Sequence, residues 1–264
     1  MRIARLCCLL LLAGSSLAVQ AKMVHRPVEW TQDGTRFHSV LVYDDASSAK
    51  RPGLVMVPNW YGVNDAAVKK AETIAGKDYV ILLTDMYGAD VRPQPGHADQ
   101  AQAAVKPLYG NRALMRKRIN AALAQLKAQA ANAPLDASKL AAIGFCFGGS
   151  AVLDLARSGA DVAAVVSFHG GLDTDAPALA KHIKARVLAM NGADDQGTMP
   201  DADKFMDEMR QSPADWQFVV LGHAVHCFTE VDEHSPGCRY DERAATRSYR
   251  LMHDWLRAAF AGTP

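Results

Sequence analysis

One cysteine stands where residue types and spacing could support nucleophilic chemistry. Cys146 lies at the centre of GFCFGG, residues 144–149, between a strand-like run, Leu140–Phe145, and an apolar helical run, Ser150–Ala156. The spacing G-x-C-x-G is typical of a nucleophile elbow, a strained strand-to-helix turn in which side chains at the glycine positions would collide with neighbouring backbone. Such a turn exposes the sulfur and directs the positive end of the next helix toward it, which favours thiolate over thiol.

The same turn offers a stabilising group for a developing oxyanion. The backbone N–H of Phe147 begins the helix and is a candidate oxyanion-hole donor. A structural alternative is an inert thiol, because free cysteine is among the most buried residue types. A serine nucleophile is the weaker alternative, because Ser150 lies in the helix and not at the apex of the turn.

A carboxylate follows the cysteine in a position suited to a catalytic acid. The strand-like run Ala185–Met190 leads into NGADD, residues 191–195. In the chain order nucleophile, acid, histidine, the acid lies in a loop after a later strand. Asp195 is the preferred acid and Asp194 the alternative. Either carboxylate could instead cap a helix or a turn.

A histidine follows in the next loop, where the base is expected. The run Trp216–Leu221 leads into GHAVHCF, which contains His223 and His226. His226 is the preferred base because it lies deeper in the loop, whereas His223 is nearer the strand end. In this assignment His226 takes the proton of Cys146 or holds it as an ion pair, and the acid fixes the imidazole tautomer.

Five motifs in this order resemble the dienelactone hydrolase family, cysteine-nucleophile members of the α/β-hydrolase fold, over roughly residues 51–260. The motifs are PNWYGVN after the first buried strand, TDMYG after the next, GFCFGG, GADD and VHCFT. The resemblance implies a hydrolase of small esters, lactones or thioesters that forms a thioester with Cys146. It also implies that the Trp60 N–H completes the oxyanion hole with Phe147.

The chain departs from the family at positions that bind substrate. Dienelactone-cleaving members carry a glutamate where this chain has Asn59, and arginines where it has Ala89 and Glu230. Losing two guanidinium groups removes the bidentate grip on a carboxylate, and a carboxylate at 230 would repel an anion. Arg92 lies close to the first arginine position and is the candidate substitute. An uncharged substrate is therefore expected. The alternative to an enzyme is a catalytically silent relative that binds a small ligand or a partner, because Asn59 replaces the carboxylate that activates the thiol in the family.

Other candidates for the substrate pocket follow the buried strands. Tyr61 and Tyr87 are candidate pocket walls together with Asn59, although aromatic residues at strand ends often cover the core. His169 follows the run Val162–Phe168 at the carboxyl end of the predicted sheet, where ligands of open α/β sheets bind.

Length, composition and element order predict how these groups are positioned. The chain has 264 residues, 49% of them apolar, which suffices for one sizeable core. Alternating strand-like and helical runs predict an α/β fold with a mostly parallel sheet covered by helices on both faces, as one domain over residues 22–264. A short antiparallel hairpin, Val28–Trp30 with Phe37–Tyr43, is expected at the sheet edge. The predicted strands are Gly53–Pro58, Val80–Asp85, Leu140–Phe145, Val162–Phe168, Ala185–Met190 and Trp216–Leu221. The predicted helices are Ala66–Gly76, Ala113–Ala131, Cys146–Ser158, Asp201–Arg210 and Glu242–Phe260.

Residues 1–21 have the pattern of a secretory signal peptide. A basic start precedes the apolar run Leu6–Ala13 and small residues near Ala21, and the run is short for a membrane anchor, which is the alternative. The segment contains two of the 29 basic residues and none of the 28 acidic ones, so the mature chain is nearly neutral. A periplasmic or secreted protein with a small-molecule substrate is expected. Nucleic acid is not an implied partner.

Export changes the interpretation of the remaining cysteines. The mature chain keeps Cys146, Cys227 and Cys238, and an odd number in an oxidising compartment suggests one disulfide and one free thiol. Cys227 and Cys238 flank a short loop and are the expected pair, which would brace the loop that carries His226; the alternative is two reduced packing residues. A metal site formed by His223, His226, Cys227 and Cys238 is a further alternative, but its spacing is poor for a tetrahedral centre. No metal or cofactor is expected.

Overall fold

An eight-stranded sheet forms the centre of the protein. The computed structural model describes residues 22–263, so the predicted signal peptide lies outside the described residues. The strands of the sheet are β1 (Met23–Gln32), β2 (Thr35–Asp44), β3 (Arg51–Val57), β4 (Val80–Leu83), β5 (Leu135–Phe145), β6 (Ala164–Phe168), β7 (Arg186–Gly192) and β8 (Trp216–Leu221). The short strands β9 (His234–Ser235) and β10 (Cys238–Arg239) form a separate hairpin. The helices are α1 (Asp65–Ala75), α2 (Ala98–Tyr109), α3 (Arg112–Ala128), α4 (Phe147–Arg157), α5 (Ala202–Arg210) and α6 (Glu242–Ala261).

The strand order confirms the predicted α/β-hydrolase fold. The order is β1-β2-β4-β3-β5-β6-β7-β8, with parallel pairing from β4 to β8 and antiparallel pairing of β1 with β2 and of β2 with β4. Parallel strands end at the same edge of a sheet, so the loops after β3, β5, β7 and β8 meet there. These loops carry the predicted oxyanion donor, nucleophile, acid and base.

Helices cover both faces of the sheet, as predicted. Alternate residues of β3 belong to two different buried clusters, because side chains along a strand point to opposite faces. Helices α3 and α4 contribute to the cluster that contains Val55 and Val57. Helices α1 and α6 contribute to the cluster that contains Leu54 and Met56. Within residues 22–263, none of the helices combines the length and apolar character that crossing a bilayer requires.

The structure contains the β9–β10 hairpin, which was not predicted, and it also differs from the prediction at the edge hairpin and at α2. The edge hairpin is longer than expected because alternating burial continues on both sides of the turn at Asp33-Gly34, where both residues have positive φ (49° and 76°). Helix α2 was not predicted. It carries Pro107 in its last turn, and it is held by a buried stripe at helical spacing, Ala101, Ala104, Val105 and Leu108.

Candidate active site

Cys146 occupies a sharp turn between β5 and α4. Its φ of 54° and ψ of −118° lie in a region that non-glycine residues rarely adopt. The flanking glycines are sterically required: a Cβ at Gly144 would lie 2.0 Å from the Gly148 oxygen, and one at Gly148 would lie 2.1 Å from the Val57 oxygen. The turn therefore has the geometry of a nucleophile elbow, with the cysteine half-buried at its apex.

Three of the predicted side chains form a continuous hydrogen-bonded chain. His226 Nε2 lies 3.1 Å from Cys146 Sγ, and His226 Nδ1 lies 2.7 Å from Asp195 Oδ2. The alternative residues do not join this chain, because the side chains of Asp194 and His223 are exposed to solvent. The arrangement matches the nucleophile, base and acid order in which an imidazole bridges a thiol and a carboxylate.

The loop after β7 holds the Asp195 carboxylate in place. Oδ1 accepts hydrogen bonds from the N–H groups of Gly197 and Thr198, at 2.9 and 3.2 Å, and Oδ2 accepts one from the Thr198 hydroxyl at 2.8 Å. Burial alone would raise the pKa of the Asp195 carboxyl, but these bonds and the hydrogen bond and charge of His226 hold it below its usual value. The carboxylate therefore stays ionised beside the imidazole.

His226 is held as a cation by its two neighbours. Burial disfavours the charged imidazolium, but the negative charge of Cys146, together with the hydrogen bond that His226 donates to Asp195, raises the pKa of His226 to about 10. Below that pH both ring nitrogens carry protons, so Nε2–H donates to the sulfur and Nδ1–H donates to the carboxylate. An imidazolium beside the sulfur favours the thiolate over the thiol.

The two predicted oxyanion donors lie beside the elbow. Phe147 is the first residue of α4, and Trp60 lies in the loop after β3. Among residues 22–263, no backbone or side-chain acceptor receives the N–H of either residue. Unpaired N–H groups beside a nucleophile can bind an oxyanion.

Aromatic side chains pack around Phe147, the residue that follows Cys146. The Tyr87 hydroxyl donates to the Trp60 carbonyl at 3.0 Å, and the Tyr87 ring lies 5.4 Å from that of Phe147. Tyr109 packs edge-on against the same phenylalanine and shares a 3.2 Å hydrogen bond with Ser150. Burial, followed by the charge of Cys146, raises the pKa of both phenols. Sequence reasoning missed Tyr109 because it missed α2. Tyr61 packs against the Trp60 ring in the same loop.

Arg92 is engaged elsewhere. Its guanidinium donates to Asp85 Oδ2 at 2.9 Å and to the carbonyls of Gly88 and Val91 at 3.0 and 3.2 Å. The Asp85 carboxylate is almost fully buried, so this pair holds the loop after β4 in place. The expectation that Arg92 substitutes for a carboxylate-binding arginine therefore finds no support in its contacts.

Asn59 and Glu230 are bonded to each other. Asn59 Nδ2 donates to Glu230 Oε2 at 2.7 Å, and Lys70 Nζ on α1 lies 2.5 Å from Oε1. The ion pair is largely buried and lies over the Phe145 ring. Lys70 offsets the negative charge of Glu230. The presence of Glu230 alone therefore does not imply that the site repels an anionic substrate. No sequence pattern indicates this contact, since Lys70 lies 160 positions from its partner.

The buried His169 side chain contacts the turn that carries Cys146. It is fully buried, and its Nδ1 accepts the backbone N–H of Cys146 at 3.2 Å. Its Nε2 lies 2.7 Å from Thr229 Oγ1. Burial, with the charges of His226 and Lys70, holds the pKa of His169 well below its usual value, so the imidazole is neutral. His169, which was predicted to line the substrate pocket, therefore contacts the backbone N–H of Cys146 with its side chain.

A disulfide joins Cys227, the neighbour of His226, to Cys238 on β10. His226 also forms an isolated bridge with Cys238, and its carbonyl accepts the Arg239 N–H at 3.1 Å. These contacts brace the loop that carries the imidazole. They also use the cysteines that the metal alternative requires, and no cluster of three metal-ligand side chains occurs in the part of the chain that the structure describes.

Comparison with known proteins gives matches across this region. A model of the dienelactone hydrolase family matches residues 37–260. A solved structure described as a dienelactone hydrolase-like promiscuous phosphotriesterase from metagenomic libraries is 38% identical, with a TM-score of 0.81, and the match covers 90% of this chain and 99% of that one. An uncharacterized protein of Caenorhabditis elegans is 34% identical over 158 residues, which are 56% of this chain and 95% of that protein. A protein of Bradyrhizobium sp named "Probable 2-oxo-3-(5-oxofuran-2-ylidene)propanoate lactonase" is 30% identical over 148 residues, 55% of this chain and 57% of that protein.

The family match includes the elbow and both loops that carry the acid and the base. It also includes the loop after β3 and the loop after β4, where the chain departs from the dienelactone-cleaving members. The extent of the match and the shared fold establish the assignment. This chain belongs to the dienelactone hydrolase family and is a hydrolase of the ester type.

Proposed function

We propose that the protein hydrolyses uncharged small esters, lactones or thioesters through a Cys146-His226-Asp195 triad and a thioester intermediate. The observation that carries the proposal is the pair of short contacts of His226, 3.1 Å to the sulfur and 2.7 Å to the carboxylate. The elbow conformation and the free N–H groups of Trp60 and Phe147 support it further.

In the first half-reaction the Cys146 thiolate attacks the carbonyl carbon. The oxygen becomes an oxyanion and accepts the N–H groups of Trp60 and Phe147. The tetrahedral species then collapses, the bond to the leaving oxygen breaks, and His226 Nε2–H donates its proton to that oxygen. The products of this half-reaction are the alcohol and a thioester on Cys146.

Acylation changes the protonation of His226 in the direction that deacylation needs. The thiolate charge is the strongest contribution that raises the pKa of His226, and the thioester has no such charge. The neutral imidazole then takes a proton from water as the water attacks the thioester, and Asp195 stabilises the imidazolium that forms. Collapse releases the acid and restores the ion pair.

The surroundings of the sulfur favour an uncharged substrate. The residues packed around Phe147, which follows the nucleophile, are aromatic: Tyr87 and Tyr109 contact its ring, and Tyr87 donates to the Trp60 carbonyl. Arg92 is bound to Asp85, and Lys70 is bound to Glu230. Neither cation is free to form a bidentate pair with a substrate carboxylate.

Trapping of the acyl-enzyme tests this proposal. Because we expect hydrolysis of the thioester to be slower than its formation, rapid mixing of the protein with 4-nitrophenyl acetate should give a burst of nitrophenolate that approaches one equivalent. Peptide mass spectrometry of the quenched sample should find an acetyl group on Cys146. A folded protein that gives neither a burst nor an acetylated peptide, with both acetate and butyrate esters, would favour the silent ligand-binding alternative.

Phosphotriester hydrolysis is a second candidate activity. The observation that favours it is the 38% identity to a structure described as a promiscuous phosphotriesterase over 90% of this chain. Phosphotriesters are uncharged, as the site requires, and their phosphoryl oxygen can use the same N–H donors. Diethyl 4-nitrophenyl phosphate should release nitrophenolate with wild-type protein and not with Cys146→Ala. Equal release by both proteins would remove this activity from the Cys146 site.

We also propose that the protein acts in an oxidising compartment such as the periplasm. The Cys227–Cys238 disulfide supports this location, because disulfides persist outside the reducing cytosol.

A further inference from the structure

The Glu230 carboxylate connects three loops of the site. We propose that Glu230 is a positioning residue that orients both oxyanion donors, acting on Trp60 through Asn59 and on Phe147 through His169. This inference rests on the proposed function, because it assigns these N–H groups to the oxyanion. It predicts that Glu230 contributes to the acylation step and leaves the nucleophilicity of the thiol unchanged.

The first path runs from Glu230 to the loop that precedes α1. Asn59 Oδ1 accepts the N–H of Tyr61 at 3.0 Å, and the Asn59 carbonyl accepts the N–H of Gly62 at 3.0 Å. The amide orientation is therefore fixed, and Nδ2 must face an acceptor. Glu230 Oε2 is that acceptor at 2.7 Å. Trp60 lies inside the turn that these bonds close.

The second path runs from Glu230 to the elbow. The Thr229 hydroxyl donates to Glu230 Oε1 at 3.1 Å and accepts the Nε2–H of the neutral His169. His169 Nδ1 then accepts the N–H of Cys146 at 3.2 Å and shares it with the Phe168 carbonyl, which lies at 3.0 Å. Cys146 is the residue immediately before Phe147. The tautomer of His169 follows from this arrangement, because Nδ1 must be unprotonated to accept. Each oxyanion donor thus lies one residue from an end of the network.

A carboxylate is the group that this network requires. Glu230 receives three hydrogen bonds, from Asn59, Lys70 and Thr229, and is itself 9% exposed. Glutamine has one acceptor oxygen and an NH₂ group that only donates. In Glu230→Gln the new NH₂ group replaces one of the two carboxylate oxygens. If it replaces Oε1 it faces the donors of Lys70 and Thr229, and if it replaces Oε2 it faces the Asn59 amide NH₂. A buried donor without an acceptor forces a rearrangement of the loop.

Two rates measured on the full chain separate this role from others. The acylation rate of 4-nitrophenyl acetate depends on the oxyanion donors, whereas alkylation of Cys146 by iodoacetamide uses the thiolate and no oxyanion. Removing one such donor costs about 10²–10³-fold in rate, so displacing donors without removing them should cost about 10-fold. We expect Glu230→Gln to lower the acylation rate about 10-fold and to leave the alkylation rate within about twofold at each pH.

A double-mutant cycle tests the path through Asn59. Asn59→Ala should also slow acylation. The loss of acylation rate in the double variant should be smaller than the product of the two single losses, because residues in one network are not additive. Glu233→Gln is the matched control, since it replaces a nearby carboxylate of the same loop that receives no hydrogen bond from Asn59, Lys70 or Thr229. It should match wild type in both rates.

Three results would overturn the proposal. They are equal slowing of acylation and alkylation by Glu230→Gln, unchanged acylation in that variant, and full additivity in the cycle. A wild-type protein in which iodoacetamide modifies Cys146 but no ester acylates it would instead contradict the proposed function.

Discussion

Replacement of Cys146 with alanine is expected to lower kcat/KM for 4-nitrophenyl acetate by at least about 10³-fold. The thiolate supplies the bond-forming electron pair, and no serine occupies the apex of the turn, since Ser150 lies within α4 with its hydroxyl bonded to Tyr109. Steady-state nitrophenolate release by both proteins measures the effect. Little loss of stability is expected, because alanine removes only a half-buried sulfur atom.

The matched control for this experiment is Cys146→Ser. Serine has nearly the same size, but its hydroxyl is a much weaker acid than a thiol and does not form an ion pair with the imidazole. We expect a rate well below wild type and at or above that of the alanine variant. Equal thermal unfolding of all three proteins would show that the differences are chemical. Retention of wild-type activity in the alanine variant would place the reaction at another site.

The sequence allowed prediction of those parts of the site that lie within short motifs. The elbow, Asp195 and His226 each follow directly from a strand, so their shared position at one edge of the sheet follows from the fold class. Residue spacing even favoured His226 over His223, which the structure leaves in solvent. The parallel sheet could be predicted for the same reason, because alternating strand and helix runs admit few topologies.

The remaining parts depend on contacts between distant segments. Lys70 and Asn59 meet Glu230 across 160 and 171 positions, and a single sequence contains no signal for such pairs. Arg92 illustrates a second limit: its position near the site suggested a substrate contact, but the nearby buried Asp85 binds its guanidinium. The sequence shows that Arg92 is present near the site, but only the folded structure shows that Asp85 is its partner.

His226→Ala should strongly lower the reactivity of Cys146 below neutral pH. In wild type the pKa of His226 is raised to about 10, so the imidazolium is present below that pH and is lost as the pH rises through it. The imidazolium favours the thiolate, so the rate of alkylation by iodoacetamide should be high near neutral pH and change as the pH rises through about 10. Without the imidazolium the sulfur loses its cationic partner, so alkylation at pH 6 should fall about 10²-fold.

Ester hydrolysis should fall further than alkylation in this variant, because His226 also donates to the leaving oxygen and activates water. A combined loss of at least about 10³-fold in kcat is expected. His223→Ala is the control, since that side chain is exposed and outside the hydrogen-bonded chain. Superimposable alkylation profiles for wild type and His226→Ala would show that the imidazole does not activate the thiol. A loss of hydrolysis with normal alkylation would confine His226 to proton transfer, leaving activation of the thiol to the positive end of α4.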